Sequence, residues 1–157
     1  MKEPIKEFRG GTSWLSNTFK CVIDTSKLID FNLSFLPGLY RSVEHAYKSF
    51  KFDSQDWKYF CLTEKRPTFI ITKSFEREGE EKISSYWTQD NRLTLMYKLN
   101  KIKYEQEVFR NMLINTTDRE IIEGNYHGDK FWGVDIETGE GENMLGKILM
   151  TIRKELQ

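Results

Sequence analysis

The chain has 157 residues, 38% apolar and 31% charged, and its 24 Lys and Arg balance 24 Asp and Glu. That length suits one domain, residues 1–157, burying about 70% of its unfolded surface, and the charge balance excludes a global field for nucleic acid or membrane. Two distant cysteines, Cys21 and Cys61, exclude a disulfide framework, and with no apolar signal core and no run near ~18 apolar residues a soluble, cytoplasmic protein is expected.

In chain order, EPIKEFRGGTSWLSNTF reads as a short extended piece, a Gly-Gly turn and a polar loop. CVIDTS and LIDFNLSFL read as strands, the second with Phe31, Leu33 and Phe35 alternating against Asn32 and Ser34, and PGLY turns the chain. At Ser42 the apolar period changes from two to about 3.6. Val43, Ala46, Tyr47 and Phe50 there predict a helix with Ser42 as its N-cap. SQDWKYFCL predicts a second, short helix, whereas RPTFIITKSFEREGEEKISSYW reads as a mixed connection. Leu93, Met96 and Tyr97, then Val108, Phe109, Met112 and Leu113, predict two consecutive helices. EIIEGNYHGDKFWGVDIETGEGE is rich in turn residues around two short extended runs, and Trp132, Val134 and Ile136 share one face of the second. NMLGKILMTIRKEL predicts a terminal helix, capped by Asn143, with Leu145, Ile148, Leu149 and Ile152 as its apolar stripe. The class is α+β, compact and mainly helical, with a small sheet.

Several polar residues stand out. Glu44 is not the reciprocal partner of a capping box, because the required position is His45. As a surface acid it would pair with Lys48, worth ~0.3–0.5 kcal/mol. As a functional group it heads a stripe with Tyr47, Lys48 and Lys51, and a carboxylate held at a helix start can act as acid, base or ribose anchor. His45 reads as a satisfied helix residue, and His127 with Asp129 gives two metal ligands without a third, so neither metal nor cofactor is expected. In GDKFWG two readings stand: Asp129 as a turn residue with Trp132 in the core, or a carboxylate beside a stacking indole with Gly133 admitting a ligand to the backbone. ETGEGENMLGK offers a helix N-terminus to an anion, although it lacks the GK[ST] ending and Glu137, Glu140 and Glu142 oppose phosphate. Gly146 reads as a close-packing position. Trp87, just before a helix, suits core or stacking; of the two indoles, Trp132 is expected to stack and Trp87 to pack.

Taken in order, EFRG…LSN, SVEHAYKSFK, W then R…M, IKYEQ…L, IIEGN…DKFWG and GENMLGKILMTIR resemble the NADAR family, also called YbiA-like, over nearly the whole chain. The resemblance implies a compact, mainly helical α+β fold and cleavage of N-glycosidic bonds to ribose. One branch of the family hydrolyses phosphoribosylamino-pyrimidine intermediates of riboflavin synthesis; another removes ADP-ribose from guanine bases. Position by position it implies Glu44 and Asp129 as catalytic carboxylates. Ser16, Asn17, Lys51, Trp87, Glu123, Trp132, Gly133 and Asn143 then bind substrate, and Gly146 and Arg153 match the terminal helix motif. The expected partner is a ribosylated nucleobase or ADP-ribosylated nucleic acid, with no membrane. ADP-ribosyl-guanine is the first substrate expectation and the riboflavin intermediate the second. A non-catalytic ADP-ribose or NAD-binding module is the reading of another class. The chain departs from the family at LSNTF, where Phe more often follows Asn directly, and over FIITKSFEREGEEKISS.

Overall fold

The computed structural model describes residues 2–28 and 35–157, which divide into two compact units: Asn17–Lys103, and Met1–Ser16 with Tyr104–Gln157. In the first unit β1 (Ile23–Asp24) pairs antiparallel with β2 (Leu39–Tyr40), Ile23 opposite Tyr40. The strand expected over Phe31 and Leu33 lies outside the described residues. After Ser42 the chain turns into α1 (Val43–Ser49), as the change of period predicts, followed by α2 (Gln55–Thr63), α3 (Pro67–Arg77) and α4 (Gln89–Glu105), whose last two residues belong to the second unit. Val43, Ala46, Phe50, Phe52, Trp57, Ile70, Leu95 and Leu99 form this unit's core.

The start of α1 is secured by a reciprocal arrangement. The Ser42 hydroxyl oxygen accepts the His45 backbone N–H at 3.2 Å and its proton goes to His45 Nδ1 at 2.6 Å. His45 Nε2–H donates to the Glu64 carbonyl at 2.9 Å, which sets the tautomer and makes His45 the satisfied helix residue expected. The end of α1 is held by a buried ammonium: Lys58 Nζ donates to the carbonyls of Ser49 (2.9 Å) and Phe52 (3.0 Å). The Ser49 carbonyl is a helix-terminal acceptor, and a cation there complements the dipole.

The stretch expected to be a mixed connection is largely helix. Pro67 stands at the first helical position of α3, where its missing N–H costs nothing. Only Ile70 and Ser74 are buried on α3, while Phe75 is exposed.

In the second unit a 3-10 turn, Gly10–Leu15, replaces the expected polar loop and buries Trp14 and Leu15. Trp14 packs edge-on to Tyr104, with ring centroids 6.3 Å apart. Ile5 makes a parallel bridge to Ile121. Then α5 (Glu107–Ile114) leads to β3 (Gly124–Asn125), which pairs parallel with β4 (Val134–Asp135). The chain ends in α6 (Met144–Leu156), and all four residues of its expected stripe are buried. Gly146 is a packing glycine as read: a Cβ there would stand 2.2 Å from the Ile121 carbonyl oxygen. Arg153 joins the same packing through its guanidinium, donating to Thr116 Oγ1 at 2.7 Å and the Arg119 carbonyl at 2.9 Å.

Candidate active site

In the first unit the geometry centres on α1. Glu44 and Tyr47 are one turn apart, and Lys48 Nζ stands 3.9 Å from Glu44 Oε1. The Glu44 side chain is only 12% exposed, so the exposed surface ion pair of the simplest reading does not describe it. Its backbone N–H donates to the Asn17 carbonyl at 2.9 Å. Asn17 is itself buried, its Nδ2 against Met96 Sδ at 3.3 Å and its Oδ1 accepting from Asn100 Nδ2 at 3.4 Å. Asn17 thus fixes the first turn that carries Glu44.

Tyr47 carries the arrangement outward. Its ring lies against Trp87, centroids 4.6 Å apart and tilted by 42°, and the Arg92 guanidinium sits 5.8 Å from the Trp87 ring centre. Trp87 is half-buried, so the expectation that it packs in the core gives way. Trp57 and Trp14 fill that role instead. A carboxylate, an ammonium, a guanidinium and two flat rings therefore share one side of α1 and the start of α4. Arg92 was not among the expected site residues, although the family piece "W then R…M" contains it.

Lys51 is placed differently from the sequence expectation. It is 4% exposed and its ammonium donates to Ser74 Oγ at 2.8 Å and pairs with Glu78. Burial pulls its pKa down, and the Glu78 carboxylate opposes that shift. This ammonium already has its counter-charge.

In the second unit the parallel pairing of β3 with β4 makes residues 126–133 double back, and buried Asn125 organises that loop. Its Oδ1 accepts the N–H groups of His127 (3.3 Å) and Asp129 (3.0 Å), while Nδ2 donates to the carbonyls of Asp129 (2.8 Å) and Val134 (3.2 Å). Asp129 continues the turn: its Oδ1 accepts the N–H groups of Phe131 and Trp132, both at 3.0 Å. Such a loop is rigid without being buried. Trp132 is half-buried and meets Phe131 edge-on. Gly133 has a reason internal to the chain, since a Cβ would fall 2.1 Å from the Glu123 carbonyl oxygen.

Asn143 takes the N-cap position of α6, yet in the left-handed region (φ 52°) and without a side-chain cap bond. Its amide reaches back instead, Oδ1 accepting the Glu123 N–H at 3.0 Å and Nδ2 donating to the Ile121 carbonyl at 2.8 Å. The N–H groups of Met144 and Leu145 donate to the carbonyls of Phe131 (3.1 Å) and Trp132 (3.0 Å). The anion site considered for this helix start is thereby occupied by the loop's own carbonyls. Glu123 is half-buried with its backbone in this clamp, and Ser16 closes the 3-10 turn through its N–H to the Ser13 carbonyl. Glu44, Asn17, Lys51 and Trp87 thus belong to one unit, and Ser16, Glu123, Asp129, Trp132, Gly133 and Asn143 to the other. Among the described residues no three His, Cys, Asp or Glu side chains converge as metal ligands would, and no helix is long and apolar enough to cross a membrane.

An α+β fold of this kind with a carboxylate at a helix start and an aromatic pair beside it is the class defined so far. Residues 6–157 match the model of the NADAR domain, and the chain belongs to the NADAR family. The solution structure of the Escherichia coli protein YbiA has the same fold, with a TM-score of 0.80 at 21% identity over 99% of this chain and 86% of that one. A riboflavin biosynthesis protein of Vibrio vulnificus is 29% identical over 100% of this chain and 40% of its own length. The chloroplastic riboflavin biosynthesis protein PYRR of Arabidopsis thaliana is 36% identical over 55% of this chain and 14% of its own length. PYRR of Zea mays is 30% identical over 73% of this chain and 19% of its length. The chain thus spans less than half of each of these curated relatives.

Proposed function

We propose that the chain hydrolyses the N-glycosidic bond between ribose and an amine or base nitrogen, and that its substrate is a phosphoribosylamino-pyrimidine of the riboflavin pathway. The observation that carries the reading is the enclosed Glu44 carboxylate on the first turn of α1, one turn from the Tyr47–Trp87 ring pair. Breaking the ribose–nitrogen bond develops positive charge on the sugar. A carboxylate beside the anomeric carbon stabilises that charge and orients the attacking water. Glu44 takes this duty in its unit, and the family motif assigns Asp129 a catalytic role as well. The departing ring stacks on an indole, at ~1–3 kcal/mol per base. Lys51 is buried against Glu78, and the sugar phosphate is assigned to Lys48 and Arg92, the cations beside Glu44 and Trp87. Asn17 serves as the positioning residue for Glu44.

The names of the relatives favour the riboflavin intermediate over ADP-ribosyl-guanine, the first expectation from sequence. The test is to incubate the full chain separately with phosphoribosylamino-pyrimidine and with ADP-ribosylated guanosine and to detect released ring by mass. Release from the first alone is expected. Release from the second alone would reassign the substrate, and release from neither, with tight ADP-ribose binding, would make the chain a binding module.

A further inference from the structure

The second unit carries a cavity of about 550 Å³ to which the hydrolase reading gives no part. Its walls come from β3 and β4: Ile122, Gly124 and Tyr126 line it, with Val134 and Ile136 opposite. Strand alternation places Glu123 and Asn125 on the other face, and none of Glu44, Trp87, Asp129 or Trp132 lines it. The volume is in the range of sites for small organic ligands.

The rim is built with more order than an ordinary surface. Tyr126 is 55% exposed, yet its ring is covered on one side. The Arg9 guanidinium lies 5.3 Å from its centre, and the nearby Glu7 carboxylate pushes the pKa of its hydroxyl up. The backbone carrying Glu7 and Arg9 is pinned in turn by Thr12 Oγ1, which donates to the Glu7 carbonyl at 2.7 Å and the Arg9 carbonyl at 2.9 Å. An exposed aromatic ring fixed in place presents a flat face without an ordering cost on binding. Arg9 and Lys6 add two cations at the same mouth against the single Glu7 carboxylate.

We propose that this groove is a second ligand site, distinct from the site on α1, and that it takes a nucleoside monophosphate: the planar base against Tyr126 and the apolar walls, the phosphate against Arg9 and Lys6. An aliphatic wall with one preorganised ring suits a flat π-system. The guanidinium already stacked at the rim suits an anion joined to it. The inference does not depend on the hydrolase reading.

Adenosine 5′-monophosphate is the probe, with adenosine and inorganic phosphate as its two halves, titrated into the full chain and followed by amide NMR shifts. Shifts concentrated at Arg9, Thr12, Tyr126 and Gly139 are expected, with both halves binding more weakly than the whole. Arg9→Ala and Tyr126→Ala change exposed side chains and leave the fold intact by circular dichroism; each is expected to weaken binding at least fivefold, the effect of losing one stacking or ionic contact. The proposal is overturned by no shift at these amides up to about 10 mM, where a millimolar complex would be saturated. It is equally overturned if binding survives both substitutions and is lost in Trp87→Ala, since the nucleotide then sits at the site on α1.

Discussion

Two carboxylates and two indoles decide what single side chains do here, and each can be separated from its structural duty. Glu44→Gln keeps the shape and removes the charge beside Tyr47; turnover should drop by at least ~10²-fold while the far-UV spectrum stays unchanged. Asp129 needs a finer instrument, because its Oδ1 holds the N–H groups of Phe131 and Trp132. Asn in its place still offers a carbonyl oxygen to both, so Asp129→Asn isolates the charge, and a rate loss of ~10²-fold at full stability is expected. Asp129→Ala loses the turn as well and should also lower the denaturation midpoint; wild-type turnover in Asp129→Asn would leave this residue a turn former and nothing more. For the indoles the half-burial of both changes the expectation drawn from sequence. Trp87→Ala is expected to weaken substrate binding by ~1–3 kcal/mol rather than to unfold the chain, and urea denaturation beside ligand titration separates the two outcomes. His45 supplies a pH signature. Burial holds its pKa below the ordinary 6.5, so the unfolded chain takes up a proton as pH falls through that value while the folded chain does not yet. Stability that is full above pH 6.5 is therefore lost below it, with a slope of up to ~1.4 kcal/mol per pH unit that should vanish in His45→Gln when unfolding is followed by urea between neutral and mildly acid pH.

Among the elements, those with a broad apolar stripe were legible and those held by polar clamps were not. The stripe of α6, Leu145, Ile148, Leu149 and Ile152, is entirely buried, and the Ser42 cap of α1 forms as its residue type suggests. On α3 the buried residues are one Ile and one Ser with Phe75 left exposed, so its apolar residues do not mark its buried face, and β3 and β4, two residues each, are too short for alternation to identify them or their parallel pairing. The start of α6 was half legible: Asn143 marks the boundary, but its side chain serves Ile121 and Glu123 rather than its own helix. That arrangement sets a test. Asn143→Ala removes two buried hydrogen bonds, at ~1–3 kcal/mol for each group left unpaired, and leaves in the left-handed region a residue that tolerates it less well than Asn does. Asn143→Gly loses only the bonds. Both variants should lower the urea midpoint, Ala further than Gly; a residue that only touched substrate would leave the midpoint where it was.

At the scale of the whole chain, balanced charge bears on substrate. Glu44 was legible as a candidate because it stands in the first turn of a readable helix, Trp87 because it stands just before one, and Asp129 because it stands among turn residues. Arg92, Asn125 and the pairing of Lys51 with Glu78 were not, since each depends on which distant segment it meets. Composition alone does not choose between a small phosphorylated substrate and a nucleic acid, but salt does. With 24 basic residues against 24 acidic, any phosphate contact must come from a few local cations such as Lys48 and Arg92. A small phosphoribosyl compound engaging one or two of them releases few counterions, so kcat/KM should change by only a few-fold between about 50 and about 200 mM salt. A nucleic acid held through six or more phosphates would lose about 10³-fold or more over the same range. Measuring kcat/KM for the hydrolysed substrate across that range, and competing it with short DNA and RNA at the lower salt, reads the difference directly. A shallow dependence and no competition are expected of a riboflavin-type substrate; a steep dependence with strong competition by either polymer would replace it with a nucleic-acid substrate.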